Sequence, residues 1–541
     1  MRPMNMKNAI LKTRLLLAGV LALTSLASTA HAAAPGITGP TFALTAAPAY
    51  LTQPDGQSIY SWGYGCNGAP AGYAPALNTT AACSTMQVPG PTLIVTENVP
   101  VSITLTNNLP SSAGNTSILF PGFNVTTTGG VAGLLTQEAV PTGTVTYTFT
   151  PSSPGTRAYY SGTQSDLQVE MGLYGAIIVL PASPVSGAAC IGDFQTGNDA
   201  ARSHWTEGDF RLSTSAYDNA HTCYDREYLF QFSEIDPNVH TQAESQVAAT
   251  TGCVAGASGC SLNVPTEPYH PAYFMINGRS MPDDMDPNYS PQYPHQPYNG
   301  NPHMHPGEMV LLRIIGQGRW QHPFHEHANH VRILARDGNL LLTANNNLAG
   351  PALFTTTTTP GLAMDGIFYY TGRGLNWDMY GHKPGSADAN ASLPCTPDSN
   401  GYNTGAPNAI NYYEWCQDHD KPLQSAPFGD VAGGGPVTLP DPNIVVNGAW
   451  YGGSPYLGPD ATTRATGCSY GTAQANASNC GSSATTPPSG TIANSPGGEA
   501  GFAFMWHSHN EREITTNNIF PGGMMMMMLI DSREFQIDES N

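Results

Sequence analysis

Hydrophobic residues come in short runs along this chain, each bounded by Gly, Pro, Asn or Thr. Thr92-Leu93-Ile94-Val95, Thr144-Val145-Thr146-Tyr147-Thr148-Phe149 and Met309-Val310-Leu311-Leu312-Arg313-Ile314-Ile315 are examples. They are rich in β-branched and aromatic residues, several alternate apolar with polar positions, and long helical periodicity is rare. This pattern predicts strands with turns between them, and so antiparallel β-sandwiches with little helix. A first domain over 40–185 fits the spacing. A second, over 222–390, opens at Tyr228-Leu229-Phe230-Gln231-Phe232 and runs through Tyr273-Phe274-Met275-Ile276-Asn277-Gly278 to about His382. A third, over 435–535, opens at Ile444-Val445-Val446-Asn447-Gly448 and ends with the methionine run.

Residues 281–306 hold seven prolines with Asp283, Asp284, Asp286, His295, His303 and His305, which predicts an extended, solvated loop. His303-Met304-His305 is also a candidate copper-sampling triplet. Residues 383–436 and 459–500 are rich in Gly, Ser, Asn, Thr and Ala and read as loops or insertions. Met524 to Met528 reads as a buried terminal strand, with a soft cuprous ligand set as the alternative.

The first 32 residues change the picture of where the chain works. Arg2, Lys7, Lys12 and Arg14 precede an apolar stretch from Leu15 to Leu26, and Ala30-His31-Ala32 is a small-residue cleavage site. This is the pattern of a secretory signal peptide, and the apolar run is short for a membrane span. An exported protein, periplasmic or extracellular, is expected. Loss of those four basic residues and no acids moves the net charge from −20 to −24. Nucleic acid and anionic membrane are thereby excluded as partners, since both require basic patches. The acidic balance suits cationic substrates or metal ions, and equally suits solubility alone. Ten cysteines in an exported chain predict disulfides. Nearest-neighbour pairing would give Cys66–Cys83, Cys190–Cys223, Cys253–Cys260, Cys395–Cys416 and Cys468–Cys480.

Candidate chemistry concentrates in two imidazole clusters. One is His322-Pro323-Phe324-His325-Glu326-His327. The other is Trp506-His507-Ser508-His509, followed by Phe520-Pro521-Gly522-Gly523-Met524. Imidazole is a common ligand for copper and zinc, and residues two apart on a strand face the same way. His325 with His327, and His507 with His509, would each present two nitrogens to one side. Satisfied core histidines are the alternative for either cluster.

These segments resemble those of the multicopper oxidases (laccases, bilirubin oxidases and copper-resistance oxidases), in which H-P-x-H-x-H and H-C-H segments supply copper ligands. The resemblance extends to Val88-Pro89-Gly90-Pro91-Thr92, to Val101-Ser102-Ile103-Thr104-Leu105-Thr106-Asn107-Asn108-Leu109 and to Met171-Gly172-Leu173-Tyr174-Gly175-Ala176-Ile177-Ile178-Val179. It implies an all-β chain of three cupredoxin-like Greek-key domains, with copper as cofactor. It implies metal ligands at His322, His325, His327, His507 and His509, with Glu326 and Glu511 as weak proton-transfer candidates.

Departures from the family pattern limit what carries over. The family's first-domain histidines fall here on Leu119, Pro121, Tyr160 and Gly162, and no histidine occurs between His31 and His204. Ser508 replaces the cysteine whose thiolate binds a type 1 copper, and a hard hydroxyl does not substitute for it. Glu513 stands where the second type 1 histidine is expected. His322 and His507 lie 185 positions apart, farther than the family pattern implies, which places the first cluster in the middle domain and the second in the third. His330 reads as a supporting or surface residue, and His382 as a less favoured ligand. The sequence thus points to an exported copper protein with a reduced histidine site and no type 1 copper. Such a site suits an oxygen-dependent oxidoreductase of small-molecule or metal-ion substrates, or a non-catalytic copper-binding scaffold.

Overall fold

The computed structural model describes residues 34–75, 81–186, 214–304, 308–370, 394–397, 403, 416, 453–457, 500–531 and 537. The signal segment, His382, Ile444 to Gly448 and most of 383–436 and 459–500 lie outside them.

Strands dominate, as the alternating pattern predicts. Val101–Asn107 buries every other residue, and Thr144–Phe149 does the same opposite it. Two five-stranded sheets form a first sandwich. One runs, edge to edge, Gly155–Tyr160, Tyr174–Leu180, Leu93–Thr96, Gly36–Thr38, Gly72–Ala74. The other runs Ser58–Cys66, Thr41–Thr52, Val101–Asn107, Thr144–Phe149, Thr126–Gly129. Trp62, Tyr64, Leu105, Tyr147 and Ile177 are buried in the core between them.

A second sandwich follows. Its first sheet contains Arg226–Ile235, Met309–Gly316, Ala363–Tyr369 and Val331–Arg336. Its second runs His303–Met304, Met525–Asp531, Ala500–Ser508, His322–Glu326, Thr355–Thr358. Both sandwiches mix strand directions. Thr41–Thr52 lies parallel to Val101–Asn107, and Arg226–Ile235 parallel to Met309–Gly316. The chain crosses from sheet to sheet between such strands, so the wholly antiparallel expectation fails there.

The second sheet corrects the expected placement of the histidine clusters. His322–Glu326 pairs directly with Ala500–Ser508, so both clusters lie in one sandwich and not in a middle and a third domain. The reason is burial. Phe324 on one strand and Phe504 and Trp506 on the other share a core with Met524, Met526, Met528, Phe230 and Phe368. Met524, Met526 and Met528 of the methionine run are therefore core packing, while Met525 pairs with His507 on the other face.

The Pro-rich stretch after Met281 also departs from expectation. Asp284, Asn301, His303 and Met304 are buried, and His303–Met304 pairs with the 525–531 strand, so the segment is packed and not solvated. His305 is outside the described residues.

One helix of note, Pro237–Ala249, leaves the second sandwich and plugs the first. Asp236 caps it by accepting from Asn238 N, and Pro237 occupies the first turn, where a missing N–H costs nothing. Val239 and Ala243 pack into the first core. Cys66–Cys83, Cys253–Cys260 and Cys395–Cys416 are disulfides, as expected. Cys223 is disulfide-bonded, while Cys468 and Cys480 lie outside the described residues. Among the described residues no helix is long and apolar enough to cross a membrane.

Candidate metal centre

Register builds the site. Across the two strands Phe324 pairs with Ser508, His325 with His507 and Glu326 with Trp506. The ladder extends by one bond in which His509 N donates to Pro323 O at 2.7 Å. Because side chains alternate, His325 and His507 project side by side on one face while Phe324, Trp506 and Ser508 project into the core. His327 and His509 lie diagonally on either side of that pair. Trp506 Nε1 donates to His327 O at 2.9 Å and ties down the chain where it leaves the strand.

Four imidazoles are thereby gathered. Ring centroids are 4.7 Å apart for His325–His327, 5.6 Å for His325–His507, 5.0 Å for His325–His509, 5.2 Å for His327–His507 and 5.5 Å for His507–His509. Imidazoles sharing one ion through bonds of about 2.0–2.1 Å have centroids roughly 5 Å apart, so the cluster has the dimensions of a coordination sphere. Nε2 of His327 lies 3.2 Å from Nε2 of His507, a separation that needs a proton or a cation between them. The rings are gathered and not closed: among the described residues no three His, Cys, Asp or Glu side chains already enclose one ion position.

The outer nitrogens are held as ligand imidazoles require. His507 Nδ1 lies 2.7 Å from Ser508 O, which makes it the donor and leaves Nε2 the bare nitrogen. His325 Nδ1 bonds Thr355 Oγ1 at 2.7 Å. Burial, reinforced by its three histidine neighbours, pushes His325 down to about 4, and burial also lowers His507. Both are neutral at neutral pH, the metal-binding form. His509 is 53 % exposed, and its Nδ1 lies 3.7 Å from Glu511 Oε1, so this corner of the site opens to solvent.

His322 parts from the set. It sits on the opposite face, fully buried, with Nδ1 donating to Glu513 Oε2 at 2.9 Å and Nε2 donating to Glu234 Oε2 at 3.0 Å. Donation from both nitrogens requires the imidazolium. Burial pushes His322 down, but the hydrogen bonds and charges of Glu234 and Glu513 outweigh it and carry the group up to about 9. Ser508 Oγ donates to the same Glu513 oxygen. An imidazolium between carboxylates thus fills the positions where the family resemblance puts a type 1 copper.

Glu326 also faces away from the histidine cluster. It is fully buried, its Oε1 accepts from Thr356 Oγ1 at 2.7 Å, and burial raises it to about 8. Its position removes it from proton transfer at the four rings, whereas Glu511 stays beside His509. His330 packs against Phe354, with ring centroids 5.0 Å apart, at the margin.

In the first sandwich, Leu119 and Tyr160 bond each other's backbones, and a side chain at Gly162 would collide with Leu119. Packing occupies those positions, and no ligand stands there. Sequence reasoning missed Glu234 and Thr355. Glu234 gives little signal in the sequence, because its strand Arg226–Ile235 also carries Arg226, Glu227, Gln231 and Ser233.

Comparison with known proteins bears on the family. Residues 73–184 match the family described as multicopper oxidase. No curated protein matches the chain. Among solved structures, the multicopper oxidase mgLAC is 14% identical, with 92% of this chain and 87% of that one covered and a TM-score of 0.41. A blue copper oxidase from Nitrosomonas europaea is also 14% identical, covering 90% and 85% at a TM-score of 0.40. The copper nitrite reductase from Nitrosomonas europaea is 18% identical, covering 61% and 84% at 0.35. Likenesses this distant carry no chemistry across. What comparison shows is limited to that span: over residues 73–184 the chain is similar to the multicopper oxidase family, whose members are copper proteins.

Proposed function

We propose that the protein is an exported copper-binding oxidoreductase of the multicopper oxidase family, with a histidine-only site and no type 1 centre. The observation that carries this reading is the convergence of His325, His327, His507 and His509 from two paired strands. Four imidazole nitrogen donors with no thiolate suit copper in either common oxidation state, or zinc. Copper bound there supplies a one-electron couple that can meet oxygen.

The chain's own residues do the rest. Ser508 O and Thr355 Oγ1 fix the orientation of His507 and His325. Burial keeps both rings deprotonated. Glu511 offers a carboxylate for protons at the solvent-facing His509 edge. Electrons enter at that edge directly from a small-molecule or metal-ion reductant, since the His322–Glu513 ion pair, with Ser508 donating to Glu513, stands where a relay copper would be held. In this reading residues 40–185 form the first domain. The second starts near 222 and includes Ala500–Ser508.

A second reading, a copper-binding scaffold without turnover, is favoured by the packed Leu119, Tyr160 and Gly162 positions. Copper analysis with electron paramagnetic resonance, followed by oxygen uptake with reductants, separates the two. The first reading expects bound copper and oxygen uptake that disappears in His327→Ala and His509→Ala. Copper retention should fall at least about tenfold in each variant, the lower end of what losing even a supporting partner costs. Unchanged copper in both variants would remove the site assignment, and bound copper without uptake would leave the scaffold.

A further inference from the structure

Charge is spread unevenly along this acidic chain. Lys, Arg, Asp and Glu make up 11% of it, yet between Glu97 and Arg157 the only one is Glu138. Glu138 is turned inward, accepting from Asn115 Nδ2 at 3.0 Å and from Thr163 Oγ1 at 2.9 Å. The stretch supplies three neighbouring strands of the first sandwich, Val101–Asn107, Thr144–Phe149 and Thr126–Gly129.

Thr126–Gly129 is the edge of its sheet. It pairs with Thr144–Phe149 on one side, and among the described residues no strand pairs with it on the other. Edge strands are ordinarily guarded by charge, proline or a bulge. Asn124 to Thr136 contains no charged residue and no proline, and the register of the edge strand runs without a break.

From that edge the chain turns through Gly129 and Gly130, both at positive φ, into a hairpin of Val131–Ala132 and Gln137–Glu138. Gly133 N donates to Thr136 O at 3.0 Å, which leaves Leu134 and Leu135 alone at the tip. Two-residue hairpin connections favour Asn-Gly or Asp-Gly, so the local fold does not ask for leucine. Leu134 is 91% exposed and Leu135 61%, and neither adds to the core of its own chain. Val131 and Val140, also exposed, extend the apolar patch.

We propose that this edge and hairpin form a self-association surface whose occupant is a second copy of the chain, related by a two-fold axis. The two Thr126–Gly129 strands pair antiparallel and join two five-stranded sheets into one. A two-fold contact needs a surface complementary to itself, and one free uncharged edge meets another. Charge favours the same occupant: two chains of net charge −20 approach most easily where neither presents charge. Antiparallel pairing also brings each hairpin, at the end of its own edge strand, to the start of the other copy's, where Phe123 and Val125 are only partly buried. Four edge residues and two leucines are small beside the roughly 800 Å² per partner of a stable interface. The dimer should therefore be weak, with a dissociation constant on the order of 10–100 µM.

Sedimentation velocity of the full chain at roughly 1 µM and roughly 200 µM, either side of that range, tests the proposal. The expected result is monomer at the lower concentration and dimer at the higher, with the amides of Thr126–Gly129 exchanging more slowly with deuterium in the dimer. Sodium chloride screens the repulsion between acidic copies, so adding it should tighten the dimer. Leu134→Asp and Thr128→Asp, both at exposed positions, should each weaken it about tenfold or more. Phe520→Asp, at an exposed residue outside the patch, should leave it unchanged. A parent that stays monomeric throughout overturns the proposal. So does a dimer indifferent to both patch variants, or one in which the Thr126–Gly129 amides gain no protection. A monomer that binds phosphatidylcholine vesicles through Leu134 would make the hairpin a lipid contact and overturn it as well.

Discussion

His325 and His507 stand directly opposite each other on paired antiparallel strands, although 182 positions separate them in the chain. That one pairing turns two dipeptide-spaced motifs into a four-imidazole cluster. It also turns Ser508 inward onto Glu513, away from the imidazole face. Strand alternation settles both facts at once, because shifting the register by one residue would exchange the two faces.

Copper-loaded protein is expected to lack intense blue colour, because no thiolate stands at Ser508. Its resonance spectrum should be that of a tetragonal type 2 centre, or silent if two coppers couple. Ser508→Cys alone should not create the blue band, since Glu513 and protonated His322 occupy the remaining positions. An intense blue charge-transfer band in the parent would contradict the assignment.

Stability should fall at alkaline pH through His322. Its folded-state value, about 9, lies above the ordinary value of about 6.5. The stabilisation is therefore fully present below about 6.5 and is lost as pH rises through 9. At most about 3 kcal/mol is at stake. His322→Gln should lower Tm at pH 7 and flatten the decline between pH 7 and 9. An unchanged slope in the variant would show that another group titrates.

Removing the cap of the Pro237–Ala249 helix should loosen the contact between the sandwiches. Asp236→Ala is expected to cost about 0.5–2 kcal/mol in denaturant unfolding, with His270 N also losing its bond to Asp236 Oδ2. Copper stoichiometry should not change.

Met528→Ala should cost about 2–5 kcal/mol, because Met528 is fully buried in the core shared with Trp506 and Phe504. A loss of copper without a loss of stability would instead favour thioether ligation by this run.

Exported protein should begin about 32 residues into the chain and titrate with few free thiols when denatured without reductant. Intact-mass measurement and thiol titration check both. Most cysteines appearing free would refute export through an oxidising compartment.

Sequence alone determined what depends on local pattern. Alternation in Val101–Asn107 and Thr144–Phe149 yields half-buried strands, because a strand exposes its two faces in turn. Close cysteine spacing anticipated Cys66–Cys83, Cys253–Cys260 and Cys395–Cys416. Residue chemistry is equally local: Ser508, Leu119 and Tyr160 put no thiolate and no imidazole at those motif positions.

Tertiary structure decided which distant strands meet. The long interval between His322 and His507 suggested separate domains, yet burying Phe324, Trp506 and the methionines in one core brings the strands together, and sequence distance places no bound on that pairing. The same burial divided the His322-to-His327 motif between two faces. His325 and His327 went to the imidazole cluster, while His322 went to Glu234 and Glu513, a carboxylate pair brought from the strand Arg226–Ile235 and the short turn Glu511–Ile514, which no local pattern connects.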